Sequence, residues 1–341
     1  MNPSVDPRVS LTEVATKAGV ALSTASNALN DRGRVSATTR ARVRAVALEL
    51  GYQANPVARG LRVGRSRLIG VALREYTNVP DLYPADAYYG LLITASTSTA
   101  SQRGYALALL PDAQLDLASE LPLEAIIVAD TSVDDPLLDH AYTLGIPVIT
   151  DYRPDDPRAT VMVDSDVQGG VVLINNHLAD AGAKRIALLS VVSRTTHFIN
   201  RWEQAHARWC EQRGVELIVG HGSSEDPEQL YDAAVQLLQT GCDAVVSIPL
   251  GSGPALLAGA AALGKRVPDD LLLAIVDEDP GLARTDPPLT TLGLDPVGTA
   301  VQGTHLVIDV IEEKVTPPVE LLIPAVLMVR ESTQPNQKSQ P

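Results

Sequence analysis

Eleven of the 27 Lys and Arg side chains lie in the first 67 residues beside only four Asp and Glu, a net of +7, while the other 274 residues carry −21. The chemistry open to such a segment is neutralisation of phosphate, which supplies most sequence-independent affinity for nucleic acid. The acidic remainder would be repelled from the same polyanion. Arg40, Arg42 and Arg44 are the densest part of the run. By itself a charge run usually just solvates a helix face, and it gains meaning only from the helix signals around it. Covalent chemistry is not signalled: the chain has no P-loop, no G-x-G-x-x-G opening a helix, no H-E-x-x-H and no G-x-S-x-G. His140, His177, His197, His206, His221 and His305 are scattered without metal-ligand spacing. These patterns argue against an enzyme and predict neither cofactor nor metal.

Holding basic groups against a duplex takes rigid elements. Ser10, Leu11, Thr12 and Glu13 form an S-x-x-E capping box, in which hydroxyl and carboxylate satisfy amides at a helix start. A first helix is predicted from Leu11 to Ala18, ended by Gly19, and a second from about Leu22 to Leu29 after the tight connection at Val20. That is the spacing of a helix-turn-helix whose second helix enters the major groove. Ser36 can cap a third helix, Ala37 to Leu50, with Val43, Val46, Ala47 and Leu50 at helical spacing. Asn55 and Pro56 offer an N-cap and first position for a helix reaching only to Arg62. Helices shorter than roughly 12 residues are marginal in water, so this one is expected to order only on DNA or against a second copy.

The remaining length is enough for two cores of ordinary domain size. Strands are predicted at Leu68 to Leu73, Tyr105 to Leu110, Ala125 to Ala129, Pro147 to Thr150, Arg185 to Ser190, Glu216 to Val219, Ala244 to Ile248 and Leu271 to Val276, with helices between them. Such alternation implies parallel sheets covered on both faces. The cysteines are Cys210 and Cys242, and Met1 to Pro7 has neither a basic flank nor an apolar run. No apolar stretch approaches the ~20 residues of a bilayer span. A cytoplasmic protein with reduced thiols and no membrane partner is expected.

Val9 to Asn30 (VSLTEVATKAGVALSTASNALN), Val35 to Arg40 (VSATTR) and Leu50 to Leu61 (LGYQANPVARGL) resemble the lactose-repressor (LacI/GalR) family of bacterial transcription regulators. Looser similarity continues through Gly104-Tyr105, Val163-Asp164, Arg201, Arg266 to Pro268, Val276-Asp277, Pro288 to Thr291 and Arg330 to Thr333. The resemblance implies an all-α helix-turn-helix headpiece (1–54), a hinge helix and linker (55–67), and an α/β two-lobed periplasmic-binding-protein-like effector domain (68–333). Its lobes would span about 68–163 and 164–291, with 292–333 crossing both and 334–341 a disordered tail. It further implies a homodimer, possibly extended to a tetramer, on double-stranded operator DNA, acting most often as a repressor and modulated by a small-molecule effector. A solute-binding protein with the same two lobes is the rival, opposed by the basic headpiece.

Residue roles follow from the resemblance. Leu22, Ser23 and Asn27 are expected at base edges. Asn27 can bond an adenine edge with both amide groups, where arginine-bearing relatives read guanine; a contact to phosphate alone is the other reading. Thr24, Ser26, Asn30 and Arg34 are expected at the DNA backbone, and Thr12 is expected among the DNA-binding residues. Leu61 would wedge between base steps in the minor groove with Arg62 beside it, and Ala58 is also expected to bind DNA. Asp164, Arg201 and Asp277 would face the effector cleft, the two aspartates having strand-end capping as an alternative and Arg201 an ordinary helix surface. Departures stand beside these. Ala21 replaces a capping serine, Pro249 and Leu250 stand where relatives carry an Asn-Asp pair that binds hydroxyls, and Gln204 and Ala205 replace a glycine and an aromatic. The effector is therefore expected to be less hydroxylated than a simple sugar, or small-molecule control has been lost and the body serves to dimerise.

Overall fold

The computed structural model describes residues 9–29, 33–52, 66–73, 87–110, 115–131, 135–151, 158–191 and 197–335. They fall into two compact units that meet in the chain at Ser66 and Arg67. The expected hinge helix and the tail from residue 336 lie outside the described residues.

The first unit holds α1 (Leu11–Ala18), α2 (Leu22–Leu29) and α3 (Ala37–Glu49). α1 starts on the expected capping box: Ser10 Oγ accepts from the Glu13 amide at 3.2 Å and Glu13 Oε2 accepts from the Ser10 amide at 2.7 Å. These bonds favour the ionised acid and hold the Glu13 carboxyl below its ordinary range. α3 is capped by Ser36, whose Oγ accepts from the Thr39 amide at 3.1 Å. α2 has no such cap. Ala21 lends only its carbonyl, to the Ala25 amide at 2.9 Å. The three helices bury Val14, Ala15, Ala18, Ala25, Ala28, Val43 and Ala47, small side chains that let short helices approach closely.

The second unit begins with β1 (Leu68–Leu73), α4 (Ala87–Gln102), β2 (Ala106–Leu110), α5 (Leu115–Glu120), β3 (Ala125–Ala129), α6 (Pro136–Thr143), β4 (Val148–Thr150) and β5 (Val161–Ser165). It continues with α7 (Val167–Asp180), β6 (Ile186–Val191), α8 (His197–Arg213), β7 (Ile218–Gly222), α9 (Pro227–Gln239), β8 (Ala244–Ser247), α10 (Ser252–Ala262), β9 (Leu272–Val276) and β10 (Thr290–Gly293). α11 (Pro296–Ile311), β11 (Val319–Ile323) and β12 (Val326–Met328) close it.

Two six-stranded sheets result, in the orders β11-β5-β4-β3-β1-β2 and β12-β10-β9-β8-β6-β7. Every pairing is parallel except β12 against β10. β3 (AIIVA) and β9 (LLAIV) are buried throughout, as strands covered on both faces must be. Each sheet has an apolar cluster on either side.

The chain crosses between lobes three times: after Ser165, after Gly293 and at Pro324-Ala325. The first two crossings touch, Ser165 Oγ donating to the Leu294 carbonyl at 3.2 Å. α11 starts from the second crossing, Asp295 capping it by accepting from the Gly298 amide at 2.9 Å, and packs on α4 and β5 of the first lobe. The two-lobed α/β architecture expected from the sequence is the one observed. β5, β10, β11 and β12 are strands that the sequence pattern had not marked.

Candidate nucleic-acid interface and interlobe cleft

On α2 the helical period divides the side chains. Ala25 and Ala28 are fully buried against α1 and α3, which turns Leu22, 46% exposed, and Ser23 outward. Thr24 and Asn27 are half-buried at the edge of the same face. The Asn27 amide lies against Gly33. A side chain there would bring its Cβ to 3.1 Å of Asn27 Nδ2, and the backbone is left-handed at φ +66°, so glycine suits this position on both counts. Thr12 and Arg34 are exposed. Ser26, only 6% exposed, turns toward the interior of the unit. Asn30, Ala58, Leu61 and Arg62 lie outside the described residues.

In the second unit the carboxyl ends of neighbouring parallel strands bring acids together. Asp130 follows β3, Asp151 follows β4 and Asp164 lies near the end of β5. From the other lobe, Arg201 on α8 reaches Asp164, with Nη1 2.5 Å from Oδ2. The pair joins residues 37 apart in sequence and on different lobes. Asp164 has 8% of its side chain exposed and Arg201 26%. Burial pushes the Asp164 carboxyl up to about 7, the negative charge of Asp151 adds to the rise, and Arg201 opposes it without reversing it.

Asp151 accepts from the amides of Asp130 (2.5 Å) and Thr131 (3.4 Å) and from the Thr131 hydroxyl (3.1 Å). Burial nevertheless holds its carboxyl above the ordinary range. Tyr88, on the first turn of α4, bonds Ser165. Burial first, then the charges of Asp130, Asp151 and Asp164, keep its phenol protonated.

Asp277, the third expected cleft residue, accepts from the Asp279 amide at 2.8 Å, a local turn bond. Its neighbour Glu278 accepts from the Leu294 amide at the second crossing (2.5 Å). On the second lobe Glu203 Oε1 accepts from Ser190 Oγ at 2.6 Å and meets His221 Nε2 at 3.0 Å. Pro249 and Leu250 offer no polar side chain; the Leu250 amide donates to Ser224 Oγ at 3.0 Å. Asp130, Asp151, Tyr88, Glu203 and Glu278 were not expected from the sequence. For the three acids that follow strands, Asp130, Asp151 and Glu278, the signal in the sequence is no more than a polar residue just past an apolar run. Among the described residues no group of three or more His, Cys, Asp or Glu is placed to hold a metal ion.

The family of bacterial regulatory proteins, lacI family, matches residues 10–55, and the periplasmic binding protein-like domain matches residues 175–333. The transcriptional regulator CelR of Thermobifida fusca is 27% identical over 95% of this chain and 98% of its own length. The chain thus carries a LacI-family helix-turn-helix domain followed by a periplasmic-binding-protein-like domain, and the relatives it matches are LacI-family regulators. The ribose operon repressor of Bacillus subtilis (strain 168) is 26% identical over 94% of this chain and 98% of its own length. A CelR–cellobiose complex superposes with a TM-score of 0.70 at 25% identity, covering 95% of this chain and 100% of that one. The lac repressor dimer bound to operator and the anti-inducer ONPF gives a TM-score of 0.83 at 22% identity over 96% and 99% of the two chains, a likeness of fold. No described helix is long and apolar enough to cross a membrane.

Proposed function

We propose that two copies of this regulator place their helix-turn-helix units on a pseudo-palindromic operator and repress by occupying it. The observation that carries the reading is a three-helix unit, rich in positive charge, whose α2 exposes Leu22 and Ser23 with Asn27 at the edge of the same face. Leu22, Ser23 and Asn27 then meet base edges, Thr12, Thr24, Asn30 and Arg34 hold the DNA backbone, and Ala58, Leu61 and Arg62 enter the minor groove. Division into a headpiece (1–54), hinge (55–67), two-lobed body (68–333) and tail (334–341) serves this action. The protein works without catalysis, in the cytoplasm.

The cleft takes a small molecule whose preference for one lobe arrangement changes the population able to bind DNA. Asp164 and Arg201 are its first contacts, with Asp277 at the strand end. The relative CelR has been solved in complex with cellobiose. With Pro249 and Leu250 where hydroxyl-binding side chains would stand, the ligand here carries fewer hydroxyls than such a sugar. The same two residues favour a second reading, DNA binding without small-molecule control.

Selection of duplexes from a random library by the full chain, repeated with metabolite pools, tests both. Two related half-sites about one helical turn apart are expected, with release by at least one pool. No preference over bulk competitor at moderate salt would overturn the proposal, and retention unaffected by every pool would favour the second reading.

A further inference from the structure

Ser96 on α4 and Thr299 and Thr304 on α11 are 1%, 8% and 0% exposed, and none of their hydroxyls has a hydrogen-bond partner among the described residues. Helical Ser and Thr commonly bond the carbonyl one turn back, as Thr94 does to Gly90 at 2.7 Å. These three do not. All three line one cavity of about 30 Å³ bounded by α4, α11 and the first sheet, with Leu92, Ile127, Ile149 and Val163 as apolar walls and Tyr88 and Asp151 also contributing.

A buried hydroxyl without a partner is unfavourable by about 1–3 kcal/mol, so three converging on one space are a strong demand for a polar occupant. A water molecule needs about 10–15 Å³ and two to four polar partners. The cavity meets both conditions for about two. An all-apolar void of this size would stay dry.

We propose that the α4–α11 seam of the first lobe is a hydration site, in which one or two ordered waters bond the hydroxyls of Ser96, Thr299 and Thr304. The waters tie two helices together at the foot of an interlobe crossing, since Thr299 lies in the first turns of α11 just beyond Asp295. Asp151, at the carboxyl end of β4, lines the same cavity, so the cleft wall of that lobe rests on a wet seam. The occupant is water rather than a cation because the hydroxyls are neutral and the Asp151 carboxylate already has amide and hydroxyl donors.

The test counts long-lived internal waters by oxygen-17 magnetic relaxation dispersion on the full chain and on the shape-conserving triple variant Ser96→Ala, Thr299→Val, Thr304→Val. The wild type is expected to exceed the variant by one or two waters. An equal count overturns the proposal. Should the triple variant not fold, a wild-type crystal structure at a resolution that shows ordered water decides. Density within about 3 Å of the three hydroxyls is expected; an empty cavity, or hydroxyls rotated onto helix carbonyls, refutes it. A melting temperature that depends on whether sodium, potassium or ammonium is present at constant ionic strength would also overturn it, by assigning the space to a cation.

Discussion

Asn27 and Arg34 both belong to the proposed interface, yet truncating them is expected to do different things. An asparagine amide facing a base edge carries sequence information, so Asn27→Ala should weaken the best operator by about 1–3 kcal/mol and relax preference at one base pair of each half-site. Arg34→Ala should weaken all duplexes alike and lower the slope of log K against log salt by about one. Binding titrations against the selected operator and a scrambled duplex separate the two. Equal loss on both for Asn27→Ala would reduce it to a phosphate contact. The site itself was legible to different depths. Asp164 and Arg201 were expected at the cleft, and the fold brings them together as an ion pair. Asp130 and Asp151 stand at the ends of separate strands, where no spacing in the sequence relates them. They converge only because parallel strands finish on one side of a sheet.

Helix boundaries were the most legible feature, because a cap is local chemistry: Ser10 with Glu13, and Ser36 with Thr39, act within three residues. Ala21 is the position where that chemistry is missing. Ala21→Ser supplies an acceptor for the first turn of α2 and should stabilise the headpiece by about 1 kcal/mol, read from its denaturant midpoint. No gain would mean that the turn after Gly19 holds residue 21 outside cap geometry. α11 offers a second case. A Cβ at Gly303 would meet Val163 and Ile149 at 3.5–3.7 Å, ordinary contact distances. Gly303→Ala then removes the entropic penalty of glycine within a helix and should stabilise the body by about 0.5–1 kcal/mol. A lower melting temperature would show that the lobe interior cannot yield even a methyl group there. The strands missed in the sequence have the opposite character to the caps. β11 and β12, of five and three residues, alternate partly exposed positions and exist because β5 and β10 present unpaired edges to them. That information lies in the sheet, far from their own sequence.

At the scale of the whole molecule, the Asp164–Arg201 pair is where burial and Coulomb attraction compete across two lobes, and pH decides which prevails. Attraction alone would hold the carboxyl below its ordinary 3.8, and the fold would then weaken as pH falls. Burial beside Asp151 instead raises it to about 7. The folded chain therefore retains a proton that the unfolded chain has released. The stability linked to this group is full below about pH 4 and is lost as pH rises through 7. Asp164→Asn has no such proton to lose. Its unfolding free energy minus that of the wild type should increase between pH 4 and 7, by a few kcal/mol at most, and level off near pH 8. Urea titrations of the full chain at four or five pH values measure this difference, and titrating groups away from the cleft cancel in the subtraction. Arg201→Met removes the opposing attraction, so the carboxyl should rise further and the window should extend upward. A difference that stays flat from pH 4 to 7, and changes only below about pH 4 by shrinking as pH rises, would mean the guanidinium dominates. The lobes would then be tied by an ion pair that any cleft ligand must outcompete, instead of by one that protonation near neutral pH already weakens.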